Sequence, residues 1–176
     1  MSERAYAVID GFLTPAQHRD LWTAFQRRVA SPATAPDWNR FYRATDGVAD
    51  DDALPVLGVF SAKLFALVRD DLPIALDPWF GFSLSPWVYR TGMALNWHDD
   101  AGYAASYVYY THPAWDASWG GDLVVASGGD VVIDPRPNRL VLLRGGTRHC
   151  IRKIEHAIGD GFRASLSGFF FGNPRT

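Results

Sequence analysis

A short apolar stretch, Tyr6 to Ile9, precedes TPAQHRDLWTAFQRRV, in which Thr14 reads as an N-cap, Pro15 as the first helical residue and Gln17 as the far member of a capping box. That arrangement predicts a first helix. SPATAPDWNRFYRATDG follows, with Pro32 and Pro36 and no sustained period, so residues 31–47 read as a long loop or irregular strand between helices, of a length often used as a lid. Leu54, Leu57, Phe60, Leu64 and Leu67 then recur every three or four residues, an apolar stripe along a second helix that ends near Asp70 and faces the core. From about Trp79 the texture changes to short runs of Val, Tyr, Phe and Leu separated by Gly, Pro and Asp. Strands are predicted near FSLSPWVYR, ALNWH, YAASYVYYT, DLVVA, DVVID, RLVLLR, TRHCIRKI and FRASLSGFFF. Eight strands after two helices, without helical spacers between them, predict a mostly β fold with helical support: a double-stranded β-helix (jelly roll) core preceded by two helices.

The chain has 176 residues, enough for one sizeable core, and residues 1–176 read as a single domain, helical over 1–78 and jelly-roll over 79–172. There are no internal repeats. Hydrophobic residues make up 48% and aromatics 14%, with seven tryptophans, which marks a globular chain and suggests a ring-lined cavity. The net charge of −2 comes with no run of Lys or Arg, so nucleic acid is not an expected partner. Cys150 is the single cysteine and cannot close an internal disulfide. MSERAYAVIDGF contains no apolar signal segment and no stretch is long enough to span a membrane, so a reduced, cytoplasmic protein is expected.

The chemistry is sought first in ALNWHDDAGY. A histidine followed two residues later by an acid is worth little alone, since the frequencies of His and acid in this chain produce about half a chance match. His18 and Asp20 form one such pair on the predicted first helix, where residues two apart lie about 200° around the axis, so they read as a solvated helix face. His98 and Asp100 instead end a predicted strand, where residues two apart point to the same side and can share an ion. Asp99 points the other way and is left to a turn. A further histidine, His149, lies on a late strand after a glycine turn, 51 residues downstream, and a jelly roll folds such a strand back toward an early one. Two histidines and one carboxylate would make the facial triad of non-heme Fe(II) oxygenases; a buried structural histidine is the plainer alternative for His149.

Fourteen residues after His149, Arg163, Ser165 and Ser167 alternate with Ala164, Leu166 and Gly168. If the polar face looks into the barrel, the arginine is costly to bury unless it meets an anion, and a guanidinium fork beside hydroxyls suits a carboxylate. The residues on the other face are too small for the alternation to decide between barrel and solvent.

His98-Asp99-Asp100, YVYYT, WGGDLVV, His149 and FRASLSGFFF, in that order and spacing, resemble the Fe(II)- and 2-oxoglutarate-dependent dioxygenases, particularly the prolyl-hydroxylase-like branch. The resemblance covers about Ser83 to Phe171, with a looser match of the N-terminal helices. It implies that His98, Asp100 and His149 bind Fe(II) and that Arg163 pairs with the distal carboxylate of 2-oxoglutarate. By the same resemblance Tyr110 and Tyr89 belong to the cosubstrate pocket, and Ser165, ahead of Ser167, supplies its hydroxyl. Arg152 and Lys153 are weaker rivals for the anion, lacking hydroxyl companions. Halogenating relatives carry a small residue where this chain has Asp100, which points to hydroxylation.

The implied reaction is hydroxylation of an aliphatic C–H bond of an amino acid, a natural-product intermediate or a peptidyl residue, consuming O2 and releasing succinate and CO2. The expected partner is therefore a small-molecule or peptide substrate; the sequence does not speak to oligomeric state. Two other readings stay open: a non-catalytic jelly-roll binding module, and a cupin-type metalloenzyme that does not use 2-oxoglutarate. Among the remaining residues, Trp87, Trp97, Trp115 and Trp119 read as core ahead of cavity wall, with Trp97 facing away from His98. Gly120 and Gly121 bend the chain. Arg40 and Arg43 are candidates to hold a substrate carboxylate, and Cys150 points away from the site.

Overall fold

The capping box of the first helix forms as its residues dictate: the Gln17 N–H donates to the Thr14 hydroxyl at 3.3 Å and the Thr14 N–H donates to the Gln17 side-chain carbonyl at 3.0 Å. Helix α1 runs over Pro15–Ala30 and buries Leu21 and Phe25. In this computed structural model residues 4–45, 54–155 and 161–172 are described; positions 46–47 of the predicted loop and 1–3 of the N-terminal segment lie outside them. Helix α2, Pro55–Ala66, turns the leucine stripe inward, with Leu57, Phe60 and Leu64 fully buried, and ends in one π-helical turn, Leu67–Asp71.

Among the described residues ten strands follow in chain order: β1 (Tyr6–Asp10), β2 (Arg40–Arg43), β3 (Trp79–Tyr89), β4 (Leu95–His98), β5 (Ala105–Tyr110), β6 (Leu123–Ala126), β7 (Asp130–Ile133), β8 (Arg139–Arg144), β9 (His149–Ile151) and β10 (Arg163–Gly172). They form a six-stranded sheet in the order β1-β8-β5-β10-β3-β2 and a four-stranded sheet in the order β4-β9-β6-β7. Every ladder between them is antiparallel. This is the jelly roll that the strand pattern predicts, with α1 and α2 in front of it.

Two strands add to the predicted eight. The apolar stretch Tyr6–Ile9 becomes β1, paired with β8, and part of the segment read as a long loop or irregular strand becomes β2, paired with β3. RFYR has no alternation of apolar and polar residues that would betray a strand; its place is set by β3 alongside it.

The six-stranded sheet has two unlike faces. On one, Phe82, Leu84, Tyr107, Tyr109, Leu166 and Phe170 join Leu21, Phe25, Phe60 and Leu64 in the main core under the helices. On the other, Tyr110, Val141 and Leu143 meet Leu123, Val125 and Ile133 of the four-stranded sheet in a smaller core at one end of the barrel. Gly168 sits where β10 crosses closest to β3: a Cβ there would lie 1.8 Å from the Ser83 carbonyl oxygen, so only glycine fits.

His18 corrects the reading of a solvated helix face. It is buried against the sheet, with Nδ1 2.7 Å from the Tyr109 hydroxyl, and that hydroxyl donates to Asn138 Oδ1 at 2.9 Å. The Asn138 side chain also accepts from the Leu13 N–H through Oδ1 and donates to the Leu13 carbonyl through Nδ2, so this network ties the start of α1 to the sheet. No helix among the described residues is long and apolar enough to cross a membrane.

Candidate active site

The β4–β9 ladder places His98 directly opposite His149, with ring centroids 4.2 Å apart. In each ring Nδ1 lies close to the backbone carbonyl two residues back, Asn96 O at 2.7 Å for His98 and Thr147 O at 2.8 Å for His149. A carbonyl only accepts, so Nδ1 carries the proton and each Nε2 offers a lone pair to the interior. Asp100, just beyond β4, sets Oδ1 3.9 Å from His98 Nε2 and Oδ2 3.5 Å from His149 Nε2. These separations are too long for good hydrogen bonds, yet one donor atom from each residue lies within 4.8 Å of the others. Two neutral imidazoles and a carboxylate converging in this way are a donor set for a divalent transition metal. Burial pushes the His149 pKa down, which keeps its ring neutral and its lone pair available. Asp99 is exposed and accepts from the Ala101 N–H at 3.4 Å, the turn duty expected of it.

Across the barrel, the polar face of β10 looks inward. Arg163 is 0% exposed. Its Nη2 donates to the Tyr110 hydroxyl at 3.3 Å, and its guanidinium lies 4.8 Å from the Tyr110 ring centre and 5.2 Å from that of Tyr89. Among the described residues Nε and Nη1 are buried with no partner, and the same holds for the Ser165 hydroxyl. A buried cation with two idle donor groups costs several kcal/mol unless an anion meets it. Burial raises the pKa of Tyr110 and of Tyr89 against the opposing field of Arg163, so both phenols keep their protons and can donate. Gly121, at φ +76°, lets the chain pass close behind: a Cβ there would lie 3.3 Å from Arg163 Cδ and 3.4 Å from the Trp115 ring.

Between triad and guanidinium runs a cavity of about 300 Å³, which Tyr89, His98, Asp100, His149, Arg163 and Ser165 all line. Tyr110 is not among the lining residues but touches the guanidinium through its hydroxyl. The rivals Arg152 and Lys153 are exposed, and Lys153 instead donates to Glu155 at 3.3 Å. Cys150 pairs with Val124 and points away, its thiol pKa raised by burial. Arg40 and Arg43 lie on β2 rather than on the cavity wall, and Arg40 Nη1 donates to the carbonyls of Asp37 and Asn39 at 2.6 and 3.0 Å.

None of the four tryptophans read as core is buried in it: Trp115 and Trp119 are half-buried and pack on each other, with ring centroids 5.2 Å apart. Trp87 is 50% exposed and lines the cavity, and Trp97 is an outward surface ring stacked on Arg148 at 5.2 Å. Ser83 and Ser85, which also line the cavity, are site residues the sequence reading does not include. The signal was present in FSLSPWVY, where Ser83, Ser85, Trp87 and Tyr89 share one face of β3 while Leu84 and Val88 share the other.

A jelly roll carrying two histidines, an aspartate and an orphan guanidinium in one cavity belongs to the class of mononuclear non-heme metal oxygenases. Residues 84–171 match the family model described as the 2OG-Fe(II) oxygenase superfamily, and the chain belongs to that family of Fe(II)-, 2-oxoglutarate- and O2-dependent enzymes. No curated protein matches the sequence. In structure it is similar to a prolyl-4-hydroxylase of Pseudomonas putida, at 20% identity and a TM-score of 0.66, over 96% of this chain and 88% of that one. A Trichoplax adhaerens prolyl hydroxylase, solved with a hypoxia inducible factor oxygen degradation domain peptide fragment, aligns at 17% identity and 0.69 over 95% and 83%. HygX of Streptomyces hygroscopicus, with nickel and 2-oxoglutarate bound, aligns at 13% and 0.61 over 98% and 84%. At these identities the structural likeness is one of fold.

Proposed function

We propose that the protein hydroxylates an aliphatic C–H bond of a small-molecule or peptidyl substrate, with Fe(II) held by His98, Asp100 and His149 and 2-oxoglutarate anchored by Arg163. The observation that carries this reading is the fully buried Arg163 with Nε and Nη1 unpartnered, in the same cavity as the triad. A metalloenzyme without a keto acid, or a plain binding module, leaves that guanidinium without a purpose.

Iron with 2-oxoglutarate and O2 supplies an oxidative decarboxylation to succinate and CO2 that drives the C–H oxidation. The chain supplies the rest. Nε2 of His98 and His149 and the Asp100 carboxylate would hold the ion as a facial set of three donors. Arg163 offers Nε and Nη1 to the distal carboxylate, and the protonated Tyr110 hydroxyl, already accepting from Nη2, has its own hydrogen free to donate. Ser165 brings a hydroxyl with no other partner among the described residues, and Tyr89 covers the guanidinium face. The aliphatic lining from Leu123, Leu143 and Ile151 excludes water from the anchored cosubstrate.

Support comes from the structural neighbours: HygX is a protein of this fold seen with a metal and 2-oxoglutarate, and the Trichoplax enzyme one seen with a peptide. The test is anaerobic titration of the metal-free protein with Fe(II) and 2-oxoglutarate, following the visible metal-to-ligand charge-transfer absorption. The band is expected in wild type, lost in His98→Ala and shifted to much higher 2-oxoglutarate concentration in Arg163→Ala. A folded wild-type protein without the band would refute the assignment.

A further inference from the structure

The wall of the cavity away from Arg163 continues out of the barrel as a row of aromatic rings. Phe169 lines the cavity and stacks on Tyr103 at 4.2 Å; Tyr103 meets Phe171 at 5.2 Å, and Phe171 meets Phe41 at 5.2 Å. Phe80 closes the group at 6.3 Å from both Phe41 and Phe171. Phe41 pairs across the sheet with Ser83, a residue of the cavity wall, so shelf and cavity share one face of the sheet. Phe41 is 47% and Phe80 44% exposed, and a contiguous exposed apolar patch of this kind marks a binding surface.

Charge narrows the occupant. Among the described residues lining the cavity, Asp100 and Arg163 are the only acid and the only Lys or Arg. On the reading proposed above both are committed to iron and cosubstrate, so a substrate ammonium or carboxylate entering the cavity would lose its hydration with no counter-charge to meet. What remains is neutral and polar: the Ser83 hydroxyl accepts from the Phe169 N–H at 3.1 Å, and the Ser85 hydroxyl donates to Asn39 Oδ1 at 2.8 Å, with Ser167 beside them. Arg43 shares the face of Phe41 but lies further out on β2, outside the cavity lining.

We propose that the shelf of Phe41, Phe80, Tyr103, Phe169 and Phe171 is the substrate platform, and that it selects an uncharged, ring-bearing molecule over a free amino acid. The ring lies on the aromatic shelf, a neutral hydroxyl or carbonyl of the substrate meets the serines, and the reacting carbon extends toward the triad. The proposal rests on the assignment of Asp100 and Arg163 to metal and 2-oxoglutarate.

The test is calorimetric titration of the protein loaded with Zn(II) and 2-oxoglutarate, using probes that differ chiefly in charge: cyclohexanol, cyclohexanecarboxylate and cyclohexylammonium, then 2-naphthol and 2-naphthoate. The neutral members are expected to bind at least about tenfold more tightly than the charged ones. Phe41→Ser and Phe171→Ser should each weaken 2-naphthol about tenfold, with the melting temperature and the Fe(II)–2-oxoglutarate absorption band retained. Phe41→Leu, which keeps the bulk and removes the ring, guards against a serine variant that fails to fold and should weaken 2-naphthol in the same direction. The proposal is overturned if no neutral probe saturates, if Phe41→Leu and the serine variants bind as wild type does, or if the carboxylates bind best, which would make Arg43 the anchor. It is equally overturned if sedimentation shows a dimer that Phe41→Ser dissociates, since the shelf would then be a self-interface. Repeating the neutral titrations on metal-free protein separates the two ideas: a missing absorption band refutes the cofactor assignment, whereas ring binding is read independently of it.

Discussion

The two faces of the six-stranded sheet are built from the same strands and obey opposite rules. Toward the helices, β10 presents Ala164, Leu166 and Phe170, all fully buried in apolar surroundings. Toward the barrel it presents Arg163 and Ser165, equally buried, with polar atoms that have no partner. Burial of apolar area stabilises the first face, whereas the second spends stability on groups that only a ligand can satisfy. A strand can carry both because its side chains alternate, so the site is rigid by virtue of the core on its reverse side.

The sharpest way to break this comparison is to damage one face at a time. Phe60→Ala, on the helix side, should cost about 3–5 kcal/mol and lower the melting temperature steeply, while any protein that remains folded keeps its affinity for 2-oxoglutarate; chemical denaturation and the absorption band check the two halves. His112, at the end of β5, tests the boundary between the faces. Its Nε2 lies 2.6 Å from the Pro135 carbonyl and Nδ1 accepts from the Ala164 N–H at 3.3 Å, so the folded protein holds it neutral, and burial drives its pKa from 6.5 to about 4. The unfolded chain takes up a proton below its ordinary pKa of about 6.5 whereas the folded one waits until about 4, so stability contributed by this residue is full above pH 6.5 and falls as pH drops. The loss should approach about 3 kcal/mol by pH 4 and be reduced in His112→Asn, as urea denaturation across that range would show.

Arg163→Met inverts the first experiment. Removing a buried cation with idle donors should leave the apo protein as stable as wild type or up to about 2 kcal/mol more so, and weaken 2-oxoglutarate on the order of a hundredfold. Lower stability together with unchanged 2-oxoglutarate affinity would mean the guanidinium is structural. Smallest is Thr14→Ala, which removes the capping hydroxyl of α1 far from the cavity and should cost about 1 kcal/mol in thermal unfolding with no change in cofactor binding.

The legible parts of the sequence were those whose physics is local. The Thr14–Gln17 capping box, the leucine stripe of α2 and the alternation in FRASLSGFFF each act over a few residues, and each led to the element observed. His98 and Asp100 could be placed on one side of a strand end for the same reason. What misled was burial. His18 reads as a surface residue on its own helix but is buried beneath Tyr109, and Trp87 reads as core but stands in the open cavity wall. Neither follows from the residue's own neighbours in the chain, because a tryptophan is apolar enough for a core and flat enough for a ligand wall. β2 was obscured for a related reason: RFYR becomes a strand only because β3 offers it an edge.

By itself the sequence determined the two helices and the eight strands from Trp79 onward, because spacing, caps and alternation are short-range properties, and it supplied the triad and the arginine as residue types in a telling order. The tertiary structure alone decided which face of β10 looks inward, that His98 and His149 stand opposite each other across a ladder 51 residues apart, and that Phe41 pairs with Ser83 of the cavity wall. These are contacts between distant parts of the chain, set by how two sheets close over one another, and a buried guanidinium with no partner is visible only once that closure has removed the water around it.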